Sequence, residues 1–131
     1  MQYSNLFNYL AVAVGGGLGA VSRSLVYEWY AKTGNDYLYP LPTLTVNIIG
    51  SFIMGIAWFY LVEKSVLPPI WKDVISVGFL GALTTFSTFS LDFLRLFQSD
   101  RFFEAIAYAL GSVVLCLLST SIGYFGSRLI S

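Results

Sequence analysis

The chain has 131 residues, room for one domain and no second. Hydrophobic residues make up 56% of it and charged residues only 11%, where a soluble domain carries about 25% charged, so the composition is that of a protein in a bilayer. Seven Lys and Arg balance seven Asp and Glu, which leaves no basic field to attract nucleic acid. The chain has no histidine and a single cysteine, Cys116. The commonest general base, an intrachain disulfide and a thiolate metal cluster are therefore excluded, and the chain is not expected to be an enzyme.

Four apolar stretches, at about 6–30, 42–62, 71–97 and 103–130, are each long enough for the roughly 30 Å hydrocarbon core, which needs about 20 helical residues. The connections between them hold turn formers and charges: Lys32, Gly34-Asn35 and Asp36, then Glu63, Lys64, Pro68 and Pro69, then Asp100 and Arg101. The expected fold class is an all-α membrane protein of four transmembrane helices with both termini on one side. The first stretch is expected to stay as a helix and not to be removed as a signal peptide. Met1 to Asn5 carries no positive charge, and Ala11-Val12-Ala13 comes too early to follow a full apolar region.

Orientation follows the distribution of Lys and Arg. The side with the termini holds Lys64, Lys72 and Arg128, and the opposite side holds Arg23, Lys32, Arg95 and Arg101. So even a split gives the insertion machinery almost no preference. Either one dominant loop decides, or two copies insert oppositely and pair as an antiparallel dimer.

In the first span, Gly15-Gly16-Gly17-Leu18-Gly19-Ala20 precedes Arg23. A phosphate loop would need a preceding strand and a closing Lys-Ser/Thr, and both are missing. Small residues four apart, Gly15 with Gly19 and Gly16 with Ala20, let helices approach closely. Arg23 is expensive in a span and must snorkel, find a partner or face water, where it would attract anions into a vestibule. In the second span Asn47 stands among apolar neighbours with Thr43 one turn earlier on the same face; its amide must face protein or a polar conduit.

The third span is the richest. It reads Gly78-Phe79-Leu80-Gly81-Ala82-Leu83-Thr84-Thr85-Phe86-Ser87-Thr88-Phe89-Ser90, with two helix-weak glycines and then five hydroxyl residues in seven positions. The backbone is expected to break between Gly81 and Thr84, where freed carbonyls can bind ions; hydroxyls bonding back to their own helix are the simpler reading. In the fourth span Tyr108, Ser112, Cys116 and Thr120 recur every four residues as a mildly polar stripe. The carboxylates of Glu28, Glu63, Asp73, Asp92, Asp100 and Glu104 are expected near ends or in loops, which leaves proton-coupled antiport without its mid-span carrier.

These residues resemble the Fluc (CrcB) family of bacterial fluoride channels. The matching elements are the Gly-rich stretch with Arg23, Val46-Asn47-x-x-Gly50, the Gly78 to Ser90 run, and Tyr108 with Ser112, in order across all four spans. The resemblance implies an antiparallel, dual-topology homodimer in the bacterial plasma (inner) membrane, embedded in lipid. Two pores per dimer would export fluoride passively and confer fluoride resistance. It further implies that Asn47, Phe86 and Phe89 line the pores, that Ser112 and Tyr108 lie on a polar track, that Thr43, Arg23 and Asp92 lie near a vestibule, and that a structural sodium ion at the dimer interface is held by main-chain oxygens of Gly81 and Thr84. The chain departs from the family where Ala82 replaces a frequent Gly, Asp92 a frequent Glu, and Cys116 a frequent hydroxyl. The alternatives are a small multidrug-resistance type proton-coupled exporter, for which Glu28 lies too near its helix end, and a non-transporting assembly subunit.

Overall fold

The computed structural model describes residues 6–34 and 40–131; Met1 to Asn5 and the turn positions Asn35 and Asp36 lie outside the described residues. Among the described residues, four helical spans are long and apolar enough to cross a membrane: Leu6–Lys32, Leu41–Glu63, Ile70–Gln98 and Phe102–Ile130. They match the sequence boundaries within two residues, because the charges and prolines that close each apolar run also stop its helix. We label the first two spans α1 and α2. The third divides into α3 (70–83) and α4 (Phe86–Gln98), and the fourth is α5 (Phe102–Ile130).

Pro42 sits in the first turn of α2, where a missing N–H leaves no bond unmade. The last part of α2, Trp58–Glu63, and the middle of α3, Asp73–Leu80, widen into π-helical turns. At that end of the bundle Tyr124 donates to Glu63 at 2.5 Å, and the Tyr60 and Ser131 hydroxyls meet at 3.1 Å. The ends of α2 and α5 are thus tied together on one side.

Two helix pairs build the bundle, α1 on α3 and α2 on α5. Each is seamed by glycine. A Cβ at Gly15 or Gly19 would overlap the carbonyls of Val74 and Phe79, and one at Gly55 or Gly123 would overlap those of Thr120 and Phe52. In lipid, association depends on such close backbone packing, since apolar side chains gain little by leaving lipid for protein. The pairs join through two small cores. Val46, Ala57, Leu80 and Leu83 fill the first, between α2 and α3, and Leu96, Ala105 and Tyr108 fill the second, between α4 and α5. Side chains such as Leu18, Val114, Leu117 and Leu118 point outward, as lipid contact requires.

The third span breaks at Thr84, the last residue of the expected stretch, and at Thr85. Gly81 is still helical at φ −61°, ψ −34°, whereas Thr84 (φ −80°, ψ 157°) and Thr85 (φ −153°, ψ 123°) are extended. The glycines do not make the break. Gly78 instead lets α3 touch α1, where a Cβ would meet Val12 and Gly16 backbone. The break falls on two β-branched residues, which favour extended backbone, and Thr85 then caps α4 by accepting from the Thr88 amide at 3.2 Å, a contribution of about 1 kcal/mol.

Candidate functional site

The break is held by Asn47. Its Nδ2 donates to the Thr85 carbonyl at 3.0 Å, and its Oδ1 accepts from the Thr85 amide at 2.8 Å. The side-chain amide thus meets both backbone polar groups of Thr85, and the N–H, which has left the helical ladder, would in lipid cost several kcal/mol if unmet. The other hydroxyls of the run divide their roles. Thr84 and Ser90 bond back to Leu80 and Phe86 carbonyls at 2.9 Å each, as the simpler sequence reading has it. Ser87 and Thr88 gather on Thr85 Oγ1 at 3.3 and 3.1 Å.

Around this junction lies a groove of about 300 Å³ between α2, the α3–α4 break and α5. Asn47, Thr85, Phe86, Phe89 and Ser112 line it, and Cys116 and Thr120 continue it along α5. Three turns of the polar stripe therefore share one wall with the broken span, which spacing alone only suggested. No charged side chain is among the lining residues. Phe86 is 77% exposed, so the groove is open on one side. Phe86, Phe89 and Tyr108 form a ladder with successive ring centroids 5.2 Å apart. Ser112 Oγ is buried and has no hydrogen-bond partner among the described residues, a donor available to whatever enters.

A second cavity, of about 480 Å³, opens beside Thr43, with Tyr27, Glu28, Tyr30, Thr88, Asp92 and Arg95 among its walls. Asp92 lies, as expected, toward the Gln98 end of the third span, level with Thr43 in the first turn of α2. Spacing did not show its burial: it is 4% exposed and accepts from Thr43 Oγ1 at 2.5 Å and Tyr108 Oη at 3.4 Å. Asp73, also expected near an end, is buried as well, at 8% exposure in the first turns of α3. Arg23 is half-buried on α1, one turn before Tyr27, and is not on the wall of either cavity.

Two main-chain oxygens at the break lose their helical donors. The Thr85 amide, which would reach Gly81 in a continuous helix, goes to Asn47, and the Thr88 amide, which would reach Thr84, goes to Thr85 Oγ1. The Gly81 and Thr84 carbonyls thus fit a hard-oxygen site for a monovalent cation. Among the described residues no cluster of three or more carboxylate, thiol or imidazole groups offers a rival metal site.

Several contributors were not singled out from sequence: Tyr27, which bonds Thr43, Thr85 as the hub of the break, and Gly55 with Gly123. The glycine pair had a legible signal, since Ser51 with Gly55 and Ser119 with Gly123 and Ser127 are small residues spaced by four.

The family model described as CrcB-like protein, Camphor Resistance (CrcB) matches residues 10–124, through all four spans. The chain belongs to the CrcB family. It is 50% identical over 119 residues to the "Fluoride-specific ion channel FluC" of Hahella chejuensis, covering 91% of this chain and 93% of the relative. The correspondingly named protein of Saccharophagus degradans is 47% identical, covering 87% and 84% of the two chains. That of Vibrio cholerae is 45% identical over 86% and 89%. In this CrcB-family chain the matched region therefore contains the break, the groove and the Asp92 network together.

Proposed function

We propose that this protein is a fluoride-selective ion channel of the bacterial inner membrane, letting fluoride leave the cytoplasm passively through two pores formed by an antiparallel, dual-topology homodimer. The observation that carries the reading is the groove: uncharged, lined by Asn47, Phe86, Phe89 and Ser112, and holding a buried hydroxyl with no partner among the described residues. Fluoride is small and strongly hydrated, so a pore must replace its water with several donors without trapping it. Hydroxyls, an amide and the positive edges of phenyl rings are weak donors spread along a path; a Lys or Arg in the constriction would hold the ion too long. The N-terminus of α4 opens at Thr85 and Phe86 on the groove wall, and its dipole favours an anion there. Hydrogen fluoride, a weak acid, crosses the membrane and dissociates inside, so a conductive path for the anion lowers internal fluoride without an energy source.

Three features support the dimer. The groove is open beside Phe86, the Lys and Arg split is nearly even, and Gly81 has ordinary helical angles, with the Ser76 carbonyl oxygen, at 3.7 Å, the nearest atom that a methyl group on it would meet. Nothing within the described chain fills the space beside Gly81, which leaves room there for a second copy. Two such breaks meeting on a two-fold axis would bring four main-chain oxygens, from Gly81 and Thr84 of each copy, to one sodium ion, which would offset their converging dipoles.

Reconstitution into liposomes tests the function. Fluoride efflux far faster than chloride efflux, with no proton-driven drug uptake, is the expected result. Proton-coupled drug uptake without fluoride efflux would overturn it.

A further inference from the structure

Three hydroxyls and one carboxylate meet where α1, α2, α4 and α5 converge. Thr43 Oγ1 lies 2.5 Å from both Tyr27 Oη and Asp92 Oδ2, and Tyr108 Oη reaches the same Oδ2 at 3.4 Å. Thr43 is 1% exposed and Asp92 4%, so bulk water does not compete for these bonds. A threonine hydroxyl has one hydrogen. Thr43 gives it to the carboxylate, the stronger acceptor. The short contact with Tyr27 must then use the phenol's hydrogen, donated to a lone pair of Thr43. The direction of the chain is fixed: Tyr27 to Thr43 to Asp92, with Tyr108 arriving from α5.

We propose that Tyr27 is a positioning residue for ion passage: by donating to Thr43 it keeps that hydroxyl's hydrogen on Asp92, and so screens the carboxylate from anions in the cavity these three share with Glu28, Tyr30 and Arg95. The inference rests on the fluoride reading above and extends it to a residue of the first helix. Linked hydrogen bonds polarise one another. Removing the phenol oxygen leaves the Thr43 lone pair unmet and its hydrogen a weaker donor, and Asp92 presents more of its negative charge to the cavity. An approaching anion is then repelled, while the groove from Phe89 onward is unchanged.

A neighbouring pair supplies the control. Tyr30 Oη and Thr45 Oγ1, 2.8 Å apart, also join α1 to α2, and Tyr30 lines the same cavity as Tyr27, so the two tyrosines differ in what their hydroxyls bond and not in which cavity they face. Thr45 lies two residues beyond Thr43, turned about 200° around the helix and away from Asp92. A merely structural tie between α1 and α2 would make the two tyrosines equivalent.

The test is fluoride efflux from liposomes as a function of internal fluoride, for the wild type, Tyr27→Phe and Tyr30→Phe, with dimer assembly followed by size exclusion. Tyr27→Phe should raise the half-saturating fluoride concentration about two- to fourfold, as a loss of hydrogen-bond cooperativity would, and leave the maximal rate unchanged; Tyr30→Phe should alter neither. Wild-type behaviour of Tyr27→Phe, a fall in its maximal rate alone, or equal effects in both variants would overturn the proposal. So would failure of Tyr27→Phe alone to assemble, which would make the phenol a folding contact. A wild type that passes no fluoride overturns the channel reading itself, whereas active wild type with unaltered Tyr27→Phe overturns only the role of Tyr27.

Discussion

Asn47 and Thr85 hold each other in both directions across the break in the third span, the amide nitrogen on the carbonyl at 3.0 Å and the amide oxygen on the N–H at 2.8 Å. Only a side chain with a donor and an acceptor side by side can do this. Asn47→Asp keeps the acceptor, loses the donor and sets a carboxylate against the Thr85 carbonyl. It should destabilise the protein by about 1–3 kcal/mol and stop fluoride efflux, whereas Asn47→Ser should slow efflux less severely. Thermal unfolding in detergent and liposome efflux measure the two effects. Equal activity of the Asp and Ser variants would contradict this role.

The ring ladder makes a separate demand. Phe86 and Phe89 share one face of α4, and Phe89 stacks toward Tyr108. Ile at either position keeps bulk but removes the ring's positive edge. Fluoride flux should fall strongly in both variants while the dimer still forms by size exclusion. Undiminished flux would reduce the rings to packing.

Helix seams should respond to a single methyl according to where it points. At Gly55 it would overlap the Thr120 carbonyl, and Gly55→Ala is expected to cost about 1–3 kcal/mol as an overpacked contact. Gly17 faces open space, and Gly17→Ala should be neutral or stabilise by up to about 1 kcal/mol. Unfolding midpoints of the two variants decide. A Gly55→Ala protein as stable as the wild type would show that α2 and α5 can separate without loss.

For the proposed cation, main-chain ligands give an unusual pattern. Thr84→Ser keeps the hydroxyl bond to Leu80 and the carbonyl, so it should spare the ion, while Gly81→Val should disturb the break and the dimer centre together. Function lost when sodium is withdrawn from both sides would support the site. Activity indifferent to the cation supplied would refute it.

Topology is open to a direct measurement. Reporters fused at the C-terminus should reveal cytoplasmic and external populations in comparable amounts. Two or three added Lys residues in one side's loops should bias insertion and abolish efflux until an oppositely biased copy is co-expressed. A single orientation in the unaltered protein would exclude the antiparallel dimer.

The four spans, their ends and the presence of a break were legible in the sequence, because hydrophobic length, charge and proline act locally along the chain. Gly15 and Gly19 were legible too, since spacing by four puts them on one helix face. Which residues carry the break was not legible: Gly78 and Gly81 look weaker than Thr84 and Thr85, and only the contact of Gly78 with α1 and the grip of Asn47 on Thr85 decide it. Nor could spacing bring Asn47, Phe89 and Ser112 to one wall, bury Asp92 under Thr43, or aim Tyr27 at Thr43 across 16 residues. A sequence states which faces a helix has. Which faces meet is decided by how closely two backbones can approach, and in this bundle the glycine seams set that approach.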